Sequence, residues 1–237
     1  MSSSEHLQKN RNQHGKKNKE SQSQDNLIVR TMEKTKKNLQ LEYPDLDFGI
    51  EKTFKVKNLN FNAEVTISEE SRFQPDGGFL YVVLNGKKFY LLISEQKKQG
   101  TADVRFQKGL IKEGKKLGGR GNAVERLGKN YIAVEQIFAD EDIFPFVVFL
   151  QGCDFYEKES TIADRVKVIF RLIPQNTINL YKKQIGKTLW VGGSYFMRGH
   201  SYQEKPGSSD WSFDEIYNVN NTIAFQSLKY YISNYGE

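Results

Sequence analysis

FLYVVLNGKKFYLLISEQKK, residues 79–98, consists of two β-rich runs on either side of Asn85-Gly86. Asn-Gly favours the positive backbone angles of a two-residue turn, so the stretch predicts a β-hairpin. The second run continues from an apolar core, centred on Leu92, directly into Glu95 and Lys97. Because residues two apart on a strand share a face, both charged side chains are predicted to point the same way at the end of a buried strand.

The two-residue turn also predicts which residues pair across the hairpin. It places Leu84 opposite Lys87, and each further pair lies one residue outward on both strands. This pairing sets Leu80 opposite Leu91.

The same pairing, continued outward, brings Asp76 opposite Glu95. Directly opposed residues have Cβ atoms roughly 5 Å apart on one face of the sheet, so the two carboxylates are predicted to converge beside Lys97. A bulge at Gly77 or Gly78 is the alternative, and it would shift this contact by one residue.

Two adjacent carboxylates repel each other unless one keeps its proton or a cation neutralises them. Mg²⁺ is suited to this role because it binds a few carboxylate oxygens together with water and phosphate. Asp76 and Glu95 are therefore the predicted metal ligands, and Lys97 is predicted to orient the attacking water or help to deprotonate it. The spacing Pro75-Asp76 followed by Glu95-Gln96-Lys97 is that of the PD-(D/E)xK nucleases. The alternative is an ordinary ion pair between a turn aspartate and a charged strand end.

Hydrophobic spacing along the remaining chain alternates between helix and strand. A helix is predicted from Asn26 to Glu42, before Pro44, and strand-like runs follow around Phe54 and Phe61. Further elements are a helix at 122–138, a strand at 144–152, a helix near 161–172, a strand near 187–197 and a terminal helix at about 213–233. This order predicts an α/β fold.

Composition indicates one large domain preceded by a polar tail. Residues 1–25 contain almost no large aliphatic side chains, so they are predicted to be disordered, and residues 26–237 to form the single folded domain. The tail is interpreted as a solvated segment, with a nucleic-acid arm as the alternative.

The formal net charge of +6 suits a polyanionic partner without proving one. No apolar run approaches the roughly 18 residues of a membrane span, and the single Cys153 cannot form an internal disulfide. A cytoplasmic protein without a membrane partner is expected.

A second motif, GGRGNAVERLGKN, occupies residues 118–130. An Asn carboxamide pairs with adenine, an Ala methyl packs on the thymine methyl, and an Arg donates to purine N7, so Asn122, Ala123 and Arg126 suit a run of A·T pairs. Glu125 can accept an amino proton or hold Arg126. The alternative is a Gly-rich loop with Asn122 capping a helix.

This motif resembles the recognition segment of the EcoRI-like type II restriction endonucleases, a G-N-A-x-E-R run that leads into a helix. Similar segments occur in the same order at residues 42–48, 75–78, 95–100 and 144–152, so the resemblance covers about residues 40–155. It implies the following DNA-contacting residues: Arg120, Gly121, Asn122, Ala123, Glu125, Arg126 and Arg165.

The resemblance implies a five-stranded mixed β-sheet sandwiched by helices, with Asp76, Glu95 and Lys97 as catalytic residues and Mg²⁺ as cofactor. It further implies a homodimer that cuts double-stranded DNA at a palindrome with an AATT core, leaving four-base 5′ overhangs, and a methyltransferase that acts on the same site. Val168 stands where the family pattern has a second recognition arginine, so the outer base pair is expected to be read differently or not at all. The site is then AATT alone or a degenerate hexamer around it. The alternatives are a PD-(D/E)xK repair or junction nuclease, and a DNA-binding protein that has lost catalysis.

Overall fold

The computed structural model describes residues 19–55, 72–99, 122–138, 143–156, 161–172, 194–201, 203–205 and 207–236. The helices are α1 (Lys19–Glu42), α2 (Asn122–Ile137), α3 (Ile162–Leu172) and α4 (Phe213–Tyr235). The strands are β1 (Asp47–Glu51), β2 (Phe54–Lys55), β3 (Arg72–Phe73), β4 (Phe79–Leu84), β5 (Lys87–Lys98), β6 (Phe146–Gln151) and β7 (Ser194–Arg198).

A five-stranded mixed sheet in the order β1-β4-β5-β6-β7 organises these elements. β1, β4 and β5 pair antiparallel, whereas β5, β6 and β7 pair parallel. The predicted hairpin forms around Asn85-Gly86, and the predicted fold class is confirmed. The short strands β2 and β3 pair separately.

Helices cover both faces of the sheet. One face is buried by α1 and α4 in a core that includes Met32, Leu91 and Leu228. The opposite face is buried by α2 and α3 in a second core that includes Leu127 and Val166. Among the described residues, no helix combines the length and apolar character needed to cross a bilayer.

The hairpin departs from the predicted register after four pairs. Tyr81 pairs with Tyr90 as expected, but the next pair joins Leu80 to Leu92, so the predicted Leu80–Leu91 pair is wrong. Leu91 is the extra residue of a β-bulge, so the bulge lies in β5 and not at Gly77 or Gly78, the positions before β4 that were considered from the sequence. A tight turn fixes the pairing only of the residues close to it. Farther along β5 the register shifts, and both Leu91 and Leu92 are buried in the α1/α4 core.

The bulge changes which face the end of β5 presents. Phe89 packs in the α1/α4 core and Tyr90 packs against the α2/α3 core. Strict alternation would keep Ile93 on the side of Phe89, yet Ile93 lies in the α2/α3 core. Glu95 and Lys97 follow Ile93 at two-residue spacing and therefore face α2 and α3.

Several element boundaries differ from the sequence prediction. Helix α1 begins at Lys19, inside the segment predicted as a tail, and ends at Glu42 as expected. Strand β6 is confined to Phe146–Gln151. The predictions for residues 1–18, for Phe61 and for the start of the strand at 187–193 lie outside the described residues.

Asn220 of α4 provides a buried polar link between three elements. Its Oδ1 accepts a hydrogen bond from Ser94 of β5 at 3.1 Å, and its Nδ2 donates to Thr31 of α1 at 3.2 Å. All three side chains are fully buried, so water cannot replace these bonds. The link fixes α1 and α4 against the residue that precedes Glu95.

Asn220→Ala should therefore lower the free energy of unfolding by about 2–4 kcal/mol, because it leaves two buried hydroxyls without that partner and opens a small cavity. Urea denaturation followed by circular dichroism measures this. Asn218→Ala, at an exposed position of the same helix, is the matched control and should be nearly neutral. Equal effects of the two substitutions would contradict the role assigned to Asn220.

Candidate active site

The PDGG turn at residues 75–78 is hydrogen-bonded to the inner strand β5. The Gly77 amide donates to the Ser94 carbonyl at 2.9 Å, and the Gly78 amide donates to the Pro75 carbonyl at 3.1 Å. A Cβ on Gly77 would lie 2.9 Å from the Ser94 oxygen, so the close approach requires glycine. The turn thereby places Asp76 beside the end of β5.

Asp76, Glu95 and Lys97 are brought together as an ion-paired trio. The Lys97 ammonium lies 2.6 Å from Glu95 Oε1 and 3.0 Å from Asp76 Oδ2. Asp76 Oδ2 also accepts a hydrogen bond from the backbone amide of Gln96 at 3.1 Å. The bulge accounts for this contact with Gln96, where the unshifted register had set Asp76 opposite Glu95.

Burial makes the charges of the trio strongly interdependent. The Glu95 side chain is fully buried, whereas 19% of Lys97 and 24% of Asp76 remain exposed. Burial raises the pKa of Glu95, and the charge of Asp76 adds to this, while Lys97 opposes it. Burial alone would lower the pKa of Lys97, but attraction to Glu95 and Asp76 outweighs it and raises that pKa above the ordinary value. Lys97 is therefore a protonated counter-ion to both carboxylates.

Asn130 of α2 is a further site residue that the sequence analysis missed. Its Nδ2 donates to Glu95 Oε1 at 2.9 Å. A sequence signal for it exists: Asn130 lies three residues after Leu127 and four before Val134, both fully buried. A polar residue at that helical spacing interrupts the apolar face and marks a specific buried partner.

The oxygen atoms of the site fit a hard divalent cation. Glu95 Oε2 is buried and accepts no hydrogen bond from the described residues, so it retains its capacity to bind a further ligand. Within the described ranges, no group of three or more His, Cys, Asp or Glu side chains could hold a metal ion. Asp76 and Glu95 thus offer two carboxylates, and Mg²⁺ commonly completes such a set with water and phosphate oxygens.

A second polar cluster supports the end of β5 next to the trio. The side-chain amide of Gln96, through Nε2, donates to Gln151 Oε1 at 3.1 Å, and Gln151 Nε2 donates to Asp210 Oδ1 at 3.0 Å. Asp210 Oδ2 also pairs with the Lys98 ammonium at 2.9 Å. Side chains on both sides of Lys97 are therefore tied to the segment that precedes α4.

The predicted DNA-contacting residues are described to different extents. Arg120 and Gly121 lie outside the described residues, and Asn122 and Ala123 are the first two residues of α2, with side chains outside the description.

The remaining predicted contacts are placed on the α2/α3 side of the sheet. Glu125 and Arg126 are exposed on α2, and Arg165 is exposed on α3. Val168, where the family pattern has an arginine, is 49% exposed on α3. These helices share one core, which also covers the sheet face carrying Glu95.

The raised pKa of Glu95 predicts how the metal-free protein responds to pH. Folding favours protonated Glu95, so this contribution to stability is present below the ordinary value of 4.5 and is lost as pH rises through the raised pKa. Glu95→Gln keeps the side-chain shape but cannot ionise. As pH rises above this ordinary value in a chelator, the wild-type melting temperature should fall relative to that of Glu95→Gln. Parallel pH profiles of the two proteins would contradict the assigned environment.

Comparison with known proteins identifies the family of the chain. The family model described as "Restriction endonuclease EcoRI" matches residues 11–169, a range that contains the trio and all of α2. The type II restriction enzyme EcoRI of Escherichia coli is 31% identical over 141 residues, covering 54% of this chain and 50% of that protein.

The type II restriction enzyme RsrI of Cereibacter sphaeroides is 29% identical over 126 residues, covering 48% of this chain and 46% of that protein. The chain thus spans about half the length of the curated relatives it matches. The family match extends over more than half of the chain and includes the ion-paired trio, and on that basis the chain belongs to the EcoRI family of restriction endonucleases.

Proposed function

We propose that this protein is a type II restriction endonuclease that hydrolyses double-stranded DNA at a specific palindromic site with Mg²⁺ as cofactor. The observation that carries the proposal is the trio Asp76, Glu95 and Lys97, held together at the end of an inner strand in a chain of the EcoRI family. The curated relatives are named as type II restriction enzymes, which supports the same activity.

Asp76 and Glu95 are the residues that would hold Mg²⁺. Bound there, the ion would neutralise charge that develops on the phosphate during hydrolysis. Lys97 uses two of its three N–H donors on these carboxylates, which leaves one donor for the attacking water or a phosphate oxygen. In the metal-free protein, attraction to the two carboxylates raises the pKa of Lys97, so it acts there as a hydrogen-bond donor to both. With Mg²⁺ bound, Lys97 would orient the attacking water or help to deprotonate it.

Sequence recognition is assigned to the α2/α3 side of the molecule. Arg120, Gly121, Asn122, Ala123, Glu125 and Arg126 would read bases or position the backbone at the start of α2, and Arg165 would contribute from α3. The exposure of Arg126 and Arg165 supports this assignment, since guanidinium groups must reach the groove or the phosphates.

We infer further that the active species is a homodimer, because a palindrome read by identical chains requires two-fold symmetry. The proposed site has an AATT core and is cut 5′ of that core to leave four-base overhangs. A cognate methyltransferase would act on the same site, and both enzymes would work in the cytoplasm.

Removal of a metal ligand should separate binding from cleavage. Asp76→Asn should reduce the single-turnover cleavage rate by at least about a hundredfold, because even outer partners of metal ligands have effects approaching that size. Cognate binding in Ca²⁺ should persist, since the surface assigned to recognition is unchanged. Quench-flow cleavage of a labelled duplex and a gel-shift titration measure the two quantities.

Asp45→Asn is the matched control, because Asp45 is exposed and lies outside the trio. It should cleave at the wild-type rate. Comparable cleavage by the Asp76→Asn protein would show that the assigned metal site is wrong.

The recognition proposal predicts AATT at every strong cleavage site. Digestion of a plasmid of known sequence in Mg²⁺, followed by sequencing of the ends, should give four-base 5′ overhangs of AATT.

Asn122→Ala should weaken cognate binding by roughly ten- to a hundredfold, the effect of losing about 1–3 kcal/mol from one bidentate base contact. Binding to a duplex with a scrambled core should change little, because it depends on phosphate contacts. Cleavage ends without AATT would overturn the recognition assignment and leave the nuclease assignment intact.

A further inference from the structure

We propose that Asn130 is a positioning residue that orients the Glu95 carboxylate for metal binding and couples it to the helix assigned to DNA recognition. This inference rests on the proposed nuclease function, and it adds a residue to the trio on which that function depends.

The hydrogen-bond pattern of Glu95 is asymmetric. Oε1 receives both the Asn130 amide at 2.9 Å and the Lys97 ammonium at 2.6 Å. Oε2 is buried and receives no hydrogen bond from the described residues. The terminal torsion of a glutamate is soft and roughly two-fold, so donors concentrated on one oxygen select one orientation. Asn130 and Lys97 together keep the other oxygen available to a cation.

The place of Asn130 in α2 shows that ordinary packing does not explain it. Leu127, Tyr131 and Val134 of the same helix are fully buried in the α2/α3 core, and Asn130 lies within this spacing. Asn130 itself is half-buried, so its amide loses part of its water, which is unfavourable unless it gains a partner. Glu95 is that partner, and its carboxylate gives a charge-assisted hydrogen bond.

The same helix leads back to the recognition segment. Asn122, Arg126 and Asn130 follow one another at four-residue spacing, which places their backbone positions along one side of α2, about 6 Å apart for each step. A helix moves as a unit over so short a distance. A displacement of α2 by DNA at its first two turns would therefore also move the donor to Glu95.

The test compares Asn130→Leu with the matched control Asn38→Leu. Asn38 donates to Asn221 at 3.1 Å between α1 and α4, so both substitutions remove one asparagine hydrogen bond from a helix. The first measurement is the Mg²⁺ concentration that gives half of the maximal rise in melting temperature, without DNA. The second is single-turnover cleavage of a cognate duplex as a function of Mg²⁺.

For Asn130→Leu, both Mg²⁺ midpoints should rise roughly ten- to a hundredfold, the usual effect of removing a partner of a metal ligand. The metal-free melting temperature should fall modestly, because the buried Glu95 carboxylate loses one hydrogen bond, and this fall is separate from the change in the Mg²⁺ midpoints. Asn130→Gln, which keeps the amide donor on a longer side chain, should recover part of the Mg²⁺ affinity. Asn38→Leu should leave both midpoints unchanged.

Wild-type Mg²⁺ midpoints in Asn130→Leu would overturn the proposal. A fall in metal-free stability with no change in either midpoint would also overturn it, because that pattern indicates packing alone. If the wild type responds to Mg²⁺ but cuts no DNA, the nuclease proposal fails, while the melting data still decide the role of Asn130. A wild type without any Mg²⁺ response would overturn both assignments.

Discussion

The β-bulge at Leu91 is the constraint on which the site depends. It adds one residue to β5, so both Leu91 and Leu92 join the α1/α4 core, and the residues after them exchange faces. Glu95 and Lys97 consequently face α2 and α3, where Asn130 meets Glu95. Without the extra residue, the same side chains would be directed at the apolar surfaces of α1 and α4, and a buried charge pair there would be strongly unfavourable. Bulges near functional sites commonly redirect a side chain in this way.

Charge balance is the second condition. A fully buried glutamate beside an aspartate is tolerated because Lys97 contacts both carboxylates. Asn130 adds a hydrogen bond to Glu95, and the backbone amide of Gln96 adds one to Asp76. The raised pKa of Glu95 shows that this compensation is incomplete, since burial still disfavours the ionised form. A divalent cation would supply the missing positive charge. In the proposed metal site, one Glu95 oxygen accepts hydrogen bonds from Lys97 and Asn130, and the other accepts none from the described residues.

Two consecutive residues of strand β5, Ser94 and Glu95, bond to helices on opposite faces of the sheet. Ser94 bonds to Asn220 on the α4 side, and Glu95 bonds to Asn130 on the α2 side. About two turns of α2 separate Asn130 from Asn122 at the start of that helix. The end of β5 is linked by hydrogen bonds through Gln151 to Asp210, in the segment before α4. The proposed catalytic site and the surface assigned to DNA recognition thus share the elements β5 and α2. This arrangement suits a nuclease whose cleavage must depend on correct binding.

Local patterns in the sequence determined the hairpin at Asn85-Gly86, the apolar strand β6 and helix α2, because turn chemistry and periodicity act over a few residues. They also placed Asp76 near Glu95 and Lys97, but through a register that the bulge shifts by one residue. The resemblance to a known family added the number of strands and the assignment of the α2 residues. Only the tertiary structure decided the face on which the trio lies and the partner of Asn130. The bulge follows from the gain of burying two consecutive leucines under α1 and α4, a long-range packing effect that the Asn-Gly turn does not encode. Asn130 interrupts a helical apolar pattern, but its partner lies 35 residues earlier in the chain, and only the packing of α2 against β5 brings the two together.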